Sequence, residues 1–417
     1  MVGDILPGSV IGGARAVARC DALGVAPYSD MDGGLYRGWL TPAWRAAAAQ
    51  VADWMREAGM TVSTDAATNV IGRYPGTTDG PALIIGSHID SVRDAGLYDG
   101  PLGVMLGIEV VAKLHAAGRH PPFPIEVIAF GDEEGSRFPA AMLTSRAVAG
   151  TLDGIPAMVD AAGVTLAQAL DAVGATPERL AEARHAPALA YLETHIEQGP
   201  VLEAEGLALG LVTGIAAQLR CRIMLSGRAG HAGTTSMHLR RDALAAAAEI
   251  VLAAERIGAA GAEDLVATVG VLEATPGAAN VIPGHVLMTI DVRALDPVVR
   301  SAAADAILAE AHAAAARRAI AIAVELVHDL PASPCDPALM KLLGEALAAQ
   351  CHPVRRLASG AGHDAMVMAA LCPTAMLFVR CRDGISHNPA EHVEPSDADA
   401  ALAVMLGFIE RLEARVS

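Results

Sequence analysis

Short apolar runs alternate with longer helical patterns along much of the chain. Segments 82–90 ("ALIIGSHID") and 124–135 ("PIEVIAFGDEEG") are strand-like. Between them, 101–118 has a helical pattern that stops at a glycine, and 41–60 is another predicted helix that begins with Thr-Pro. This alternation predicts an α/β fold with a largely parallel sheet.

The middle of the chain has a different order of elements. The predictions there are a strand entering a glycine-rich loop (219–233), helices (242–260 and 299–319) and strands (264–274 and 285–295). Such an order is typical of a compact α+β layer, and about 115 residues are enough for a separate domain. A linker is predicted at 327–340, after which the α/β pattern resumes. We therefore expect a discontinuous first domain, 1–213 and 329–417, interrupted by a smaller domain at 214–328.

Composition excludes some classes of partner. The chain has 417 residues and a net charge of −17, which argues against nucleic acid and anionic membranes as partners. It contains no apolar run of about 18 residues, as a membrane span would require. Its six cysteines are scattered without a C-x-x-C pair, so we expect free thiols and a cytoplasmic location.

Histidine or carboxylate side chains follow four of the predicted strands. They are His88 and Asp90, Glu133 and Glu134, His195, and His387. Asp99 comes in the loop just after the first strand. Because sites in open α/β sheets form beyond the carboxyl ends of the strands, we expect these side chains to converge.

The chemistry of this set predicts a metal centre. Nitrogen and oxygen ligands without thiolates suit zinc, and also manganese, cobalt or nickel. Three histidines with several carboxylates exceed the needs of one tetrahedral ion and fit two ions about 3.5–4 Å apart that share a carboxylate, a geometry used for hydrolysis. Of Glu133 and Glu134, one can bind metal while the other is the general base.

Seven motifs together resemble one family. They are "GSHIDSVRDAGLYDGPLGV", "GDEEGSRF", "HIEQGPVLE", "GRAGHAGTT", "NVIPG", "SGAGHDA" and "GISHNPAE". In this order, over roughly residues 35 to 412, the chain resembles the amidase, hydantoinase/carbamoylase group of M20-type metallohydrolases. That group includes N-carbamoyl-L-amino-acid hydrolases, allantoate amidohydrolases and β-ureidopropionases. The resemblance implies a metallopeptidase-like catalytic domain with a mostly parallel sheet, interrupted by a smaller α+β dimerisation (lid) domain.

The resemblance also implies roles for individual residues. The implied metal ligands are His88, Asp99, Glu134, His195 and His387, with Asp99 bridging both ions. Glu133 would be the catalytic base, and Asp90 would orient His88. The implied substrate contacts are Gln198, Asn280, Arg293 and Gly360. His231 would reach the site of a partner subunit and stabilise the oxyanion, which implies a homodimer.

We therefore expect a cytoplasmic homodimeric amidohydrolase with two divalent ions, zinc being the first choice. It would cleave the carbamoyl or ureido amide bond of N-carbamoyl-L-amino acids or a related small ureido acid, releasing ammonia and carbon dioxide. Alternatives are allantoate amidohydrolase, a dinuclear aminopeptidase or dipeptidase, and a protein that only binds a ligand. His195 argues against the peptidases, which often carry a carboxylate there. His363 and Asp364 are interpreted as helix-capping residues, and Asp132 receives no firm role.

Overall fold

The computed structural model describes residues 10–155 and 157–416. Residues 1–9, which belong to the predicted first domain, lie outside the described part. The helices are α1 Gly13–Leu23, α2 Pro42–Glu57, α3 Pro101–Ala116, α4 Leu143–Ala149, α5 Leu166–Asp171, α6 Val201–Ala204, α7 Ala243–Ala259, α8 Pro297–Arg317, α9 Pro337–Ala349, α10 Asp364–Met368 and α11 Pro395–Val416. Short 3-10 turns lie at Pro177–Ala183, Met237–Leu239 and Arg382–Gly384.

The strands alternate with these helices in the first part of the chain and cluster in the middle. They are β1 Thr61–Thr64, β2 Val70–Tyr74, β3 Leu83–His88, β4 Ile125–Phe130, β5 Ala190–Ile196, β6 Leu209–Ile215, β7 Ala217–Ser226, β8 Gly230–His231, β9 Val266–Thr268, β10 Leu272–Thr275, β11 Val281–Ile282, β12 His285–Ala294, β13 Ala321–Leu330, β14 Ser333–Pro334, β15 Arg356–Ser359 and β16 Thr374–Val379.

The chain folds into two compact units. The first comprises the described residues up to Thr213, then Cys335–Leu357 and the described residues from Gly362 onward. The second comprises Gly214–Pro334 and Ala358–Ala361. The catalytic and dimerisation roles assigned to the two segments from the sequence stay predictions.

The first unit is built on a mixed sheet in the order β1-β2-β4-β3-β5-β16-β6. The four central strands, β4, β3, β5 and β16, are parallel, whereas the strands that flank them pair antiparallel. Every residue of these four strands is buried, as expected for parallel strands that are covered on both faces. The predicted α/β fold with a mostly parallel central sheet is confirmed.

Helix α3 shows how closely the covering layer approaches the sheet. Its residues are predominantly apolar and buried, and the helix begins with Pro101 in the first turn. A Cβ atom at Gly103 would lie only 2.2 Å from the carbonyl oxygen of Thr194 in β5. Glycine is therefore required for the helix to contact this strand, which also carries His195.

The second unit has a separate antiparallel sheet in the order β10-β12-β7-β13. Alternate residues of β12 are buried, and with α7 and α8 they form an apolar core of their own. The predicted strand at 264–274 is in fact two strands, β9 and β10. The predicted linker at 327–340 was wrong at both ends, because it includes the end of β13 and the start of α9. No helix within the described residues is long and apolar enough to cross a membrane.

A buried ion network attaches α1 to α3. Glu109 Oε1 accepts hydrogen bonds from Arg15 Nε at 2.7 Å and from Arg19 Nη1 at 3.0 Å, and Oε2 accepts one from the Gly12 amide at 3.0 Å. Glu109 is fully buried and Arg19 nearly so. Arg19 also lies 3.2 Å from Glu57, whose side chain is 64% exposed. The buried carboxylate of Glu109 therefore provides most of the negative charge that balances the charge of Arg19.

Replacing Glu109 with alanine should destabilise the protein, because Arg19 would stay buried without its main counter-charge. We expect the free energy of unfolding, measured by urea denaturation, to fall by about 3–5 kcal/mol. The matched control Glu57→Ala removes the exposed partner of the same arginine and should cost less than about 1 kcal/mol. Equal losses in the two variants would contradict the assignment.

Candidate metal centre

The register of the parallel strands brings two predicted ligands together. His88 is the last residue of β3 and stands beside Phe130, the last residue of β4. On the other side of β3, Ile85 pairs with Leu192 of β5, which places His88 and His195 at the same level of the sheet. Their imidazole rings are therefore neighbours, with centroids 5.8 Å apart.

Asp99 lies between these histidines and His387. Its Oδ1 atom is 3.8 Å from His88 Nε2 and 3.2 Å from His195 Nε2. Its Oδ2 atom is 3.4 Å from His387 Nε2. The two oxygens of one carboxylate thus face different histidines, an arrangement suited to a carboxylate that bridges two ions.

The two glutamates of the "DEEG" loop face different neighbours. Glu134 Oε1 is 3.4 Å from His387 Nε2, whereas Glu133 Oε2 is 4.0 Å from His88 Nε2. Ligand atoms of His88, Asp99 and His195 all lie within 4.8 Å of one another, and so do those of Asp99, Glu134 and His387. The structure therefore brings the five predicted ligands together as two sets that share Asp99.

Burial and the neighbouring ionisable groups have opposing effects on the pKa of each of three residues in this cluster, and the net shift is upward in all three. Burial lowers the pKa of His88, but the hydrogen bond that its ring donates to Asp90 and the charge of Glu133 outweigh burial and hold that pKa well above its usual value. Burial raises the pKa of Glu133 well above its usual range, although His88 opposes the shift. The hydrogen bond that the His387 ring donates to Glu134 raises the pKa of His387 to about 9, against the effect of burial. Metal binding would release protons from the ligands, because imidazole and carboxylate bind metal in their deprotonated forms.

Asp90 does more than the orienting role predicted for it. Its Oδ1 atom is 3.4 Å from His88 Nδ1, and its carbonyl oxygen is 3.2 Å from the same nitrogen. The same carboxylate accepts hydrogen bonds from the backbone amides of Glu133 (to Oδ1, 3.1 Å) and Glu134 (to Oδ2, 3.2 Å). This fully buried side chain therefore fixes a histidine of β3 and the loop after β4 relative to each other.

Gln198 lies at the cluster rather than apart from it. Its Nε2 donates to Asp99 Oδ2 at 2.8 Å, and the hydroxyl of Ser386 donates to the same oxygen. The residue lies just after the end of β5 and adopts a positive φ of 56°, a conformation that is uncommon for residues other than glycine. Its predicted contact with substrate stays a prediction.

The other predicted substrate contacts lie in the second unit, where they form two pairs. Arg293 donates from Nη1 to the carbonyl oxygen of Gly360 at 2.5 Å and from Nε to Asp291 Oδ1 at 2.8 Å. His231 lies in β8, which pairs with β11, and the Asn280 carbonyl accepts the amide of the residue after His231 at 2.9 Å. Arg293 and Gly360 are thus in contact, and His231 and Asn280 are neighbours.

Comparison with known proteins places these residues in a family. Residues 84–411 match the model of peptidase family M20/M25/M40. The chain belongs to this M20 family. The predicted recognition is confirmed, and the matched segment contains every predicted site residue.

Individual relatives of this M20 chain cover nearly its whole length. It is 42% identical to an N-carbamoyl-L-amino acid amidohydrolase of Geobacillus stearothermophilus, over 91% of this chain and 94% of that protein. It is 40% identical to an allantoate deiminase of Arabidopsis thaliana, over 95% and 82% respectively. The crystal structure of an amidase of the hydantoinase/carbamoylase family from Burkholderia multivorans is 37% identical, with a TM-score of 0.88 and coverage of 95% and 97%.

Sequence reasoning missed Glu193, and it gave Asp132 and Asp364 no role in the chemistry of this M20 site. Glu193 accepts hydrogen bonds from Ser87 Oγ at 3.0 Å and from the Ala365 amide at 2.8 Å, beneath His195. Burial, and then the charge of Glu193, raises the pKa of Asp364 to about 8. Burial likewise raises the pKa of Asp132, the unassigned member of the acidic run, well above its usual range. Burial therefore favours the protonated form of both carboxyl groups.

His363 differs from its interpretation as a capping residue. It occupies the N-cap position of α10, but its side chain makes no capping hydrogen bond there. The ring is buried instead, edge-on to His195 with centroids 4.4 Å apart. Its proximity to a predicted ligand could not be inferred from the local "GAGHDA" pattern, which resembles a helix start.

Asp90→Asn should weaken metal binding by this M20 protein. An asparagine amide would present N–H groups to a backbone amide that now needs an acceptor, so the loop carrying Glu133 and Glu134 would shift. We expect a loss of about 10- to 100-fold in the affinity of metal-stripped protein for Zn²⁺ or Mn²⁺, measured by calorimetric titration.

The control is Asp94→Asn, in the same loop but exposed, which should bind metal as the unmodified chain does. Unchanged affinity in the Asp90 variant would show that the two backbone hydrogen bonds do not hold the site.

Proposed function

We propose that this chain hydrolyses the carbamoyl or ureido amide bond of an N-carbamoyl-L-amino acid or a related small ureido acid, releasing ammonia and carbon dioxide. The observation that carries the proposal is the arrangement of the Asp99 carboxylate. Its Oδ1 atom faces His88 and His195, while its Oδ2 atom faces His387. Relatives named as amidohydrolases at 38–42% identity support the reaction class.

The donor set fits two divalent ions. His88, His195 and Asp99 would hold one, and Glu134, His387 and Asp99 the other. Imidazole and carboxylate donors without thiolate suit zinc, our first choice, and are compatible with manganese, cobalt or nickel. When bound, such a pair supplies Lewis-acid polarisation of the substrate carbonyl and makes water more acidic.

Glu133 is assigned as the general base. The carboxylate of Glu134 contacts His387 Nε2 at 3.4 Å. The carboxylate of Glu133 belongs to the cluster but makes no such contact with His387, and its Oε2 atom lies 4.0 Å from His88 Nε2. The raised pKa of Glu133 allows its carboxylate to accept a proton from the attacking water and to return it to the leaving nitrogen. Asp90 would keep this glutamate in place through its backbone amide.

Arg293 is assigned to the carboxylate of the substrate. Asp291 accepts hydrogen bonds from both Arg220 and Arg293, so two guanidinium groups share one carboxylate and the cluster keeps a net positive charge. The side chain of Arg293 is 29% exposed, which leaves part of the guanidinium accessible to a ligand. A planar guanidinium can bind a carboxylate through two parallel hydrogen bonds.

The remaining substrate contacts belong to the same proposal. Asn280 and Gly360 would bind polar groups of the substrate beside Arg293, and Gln198 would contact it from the metal cluster. His231 would act on the site of a partner subunit in a homodimer, stabilising the oxyanion. The six free cysteines support a reducing, cytoplasmic location.

Allantoate is the second candidate substrate, because relatives named allantoate deiminase or probable allantoate deiminase are 39–41% identical over 95% of the chain. It is also a ureido acid, so the same metal ligands and the same base would serve.

The reaction class can be tested by ammonia release. Metal-stripped protein restored with Zn²⁺, Mn²⁺, Co²⁺ or Ni²⁺ should release ammonia from N-carbamoyl-L-amino acids, β-ureidopropionate or allantoate, and should not cleave dipeptides. Cleavage of dipeptides without ammonia release from any ureido acid would contradict the proposal.

Glu133→Gln is the matched control for the assay. The amide has the same shape as the carboxylate but cannot take up the proton, so turnover should fall by at least about 100-fold. Bound metal, measured by elemental analysis, should stay at the level of the unmodified protein. Near-normal turnover would remove Glu133 from the role of base.

A further inference from the structure

The loop after His387 contains an acidic side chain that the proposed mechanism does not use. Residues 384–391 read "GISHNPAE", and the sequence analysis assigns only the histidine of this motif. Glu391 follows the histidine within one tight turn, in which the Asn388 carbonyl accepts the Glu391 amide at 3.0 Å. The turn therefore presents His387 and Glu391 from one short piece of chain.

Glu391 lies against the backbone of the Asp99 loop. Its Oε1 atom accepts hydrogen bonds from the Tyr98 amide at 2.7 Å and from the Asp99 amide at 3.1 Å. The side chain is 4% exposed. Two successive amides that converge on one buried oxygen fix the orientation of the two peptide groups that meet at Tyr98, because each hydrogen bond limits the rotation that the other would allow.

Two glycines allow the Asp99 loop to fit between Glu391 and His88. A Cβ atom at Gly96 would lie 2.3 Å from the Cδ of Glu391. A Cβ atom at Gly100, where φ is +87°, would lie 2.4 Å from the ring of His88. The loop is thus enclosed on both sides, and displacement of Asp99 in either direction is opposed by contacts.

The contacts around Asp99 are divided between its backbone and its side chain. Ser386 and Gln198 donate to the side-chain Oδ2 atom, whereas Glu391 accepts from the backbone amide. A carboxylate beside Asp99 is unfavourable electrostatically, so its presence is best explained by the two amides that it holds. No other carboxylate among the described residues accepts a hydrogen bond from the Asp99 amide.

We propose that Glu391 is a positioning residue that holds Asp99 where its two oxygens can serve two ions at once. Through the short turn that it shares with His387, it also couples the placement of that histidine to the placement of the bridging carboxylate. The inference rests on the proposed function only in taking Asp99 as the bridging ligand. It assigns Glu391 no contact with substrate.

The test compares Glu391→Ala with Glu391→Gln. Glutamine keeps a carbonyl oxygen for the two amides, whereas alanine removes it. Titration of metal-stripped protein with Mn²⁺ or Zn²⁺ should show a loss of about 10- to 100-fold in affinity for the alanine variant, with a reduced number of ions bound. The glutamine variant should bind within about threefold of the unmodified protein, since it preserves the acceptor.

Glu394→Ala, in the same segment but exposed and paired with Arg382, is the control and should bind metal normally. The thermal midpoint of each metal-free variant separates a structural role from a positioning one. A lowered midpoint with unchanged metal affinity in the alanine variant would overturn the proposal, as would equal losses of affinity in the alanine and glutamine variants.

Activity supplies the second readout. With metal at saturation, the alanine variant should lose kcat and keep KM, because Glu391 does not contact substrate. Failure of the unmodified protein to release ammonia from any ureido acid would count against the proposed function alone, since the metal titrations would still decide the role of Glu391.

Discussion

Repulsion between buried carboxylates at one edge of the central sheet is the constraint on which the rest of the site depends. The buried acidic groups there are Asp90, Asp99, Asp132, Glu133, Glu193, Asp364 and Glu391. A carboxylate removed from water is tolerated only if it is hydrogen-bonded, protonated or paired with a cation. Burial raises the pKa of Asp132 and of Asp364, which favours their protonated forms, whereas Asp90 and Glu391 accept hydrogen bonds from backbone amides. The carboxylates around Asp99 have only histidines as nearby cationic partners among the described residues, and bound divalent cations would supply the additional positive charge that they need.

The fold supplies the framework that keeps such a cluster from relaxing. Parallel strands bring His88 and His195 to one level, and glycine at position 103 lets α3 pack against the strand that carries the second histidine. Asp90 connects the end of β3 to the loop after β4, and Glu391 connects the loop of His387 to that of Asp99. The geometry is therefore held through backbone amides, which place the metal-binding side chains before any ion is bound.

Much of the cluster could be predicted because its members follow apolar strands, and the carboxyl ends of parallel strands meet at one edge. The partner of Arg293 also had a local signal, since Asp291 is two residues earlier on the same face of β12. Glu391 could not be found this way, because its acceptor role joins loops 292 residues apart in the chain. Strand β13 was not predicted for a different reason: its residues are largely exposed, so they lack the alternation that marks a half-buried strand.

The central claim is that Asp99 bridges two ions, and anomalous X-ray scattering from crystals of protein loaded with Mn²⁺ or Zn²⁺ tests it most directly. The account predicts two anomalous peaks about 3.5–4 Å apart, one on each side of the Asp99 carboxylate. One peak should contact His88 and His195, and the other Glu134 and His387. A single peak at full metal loading, or two peaks that do not share Asp99, would contradict it.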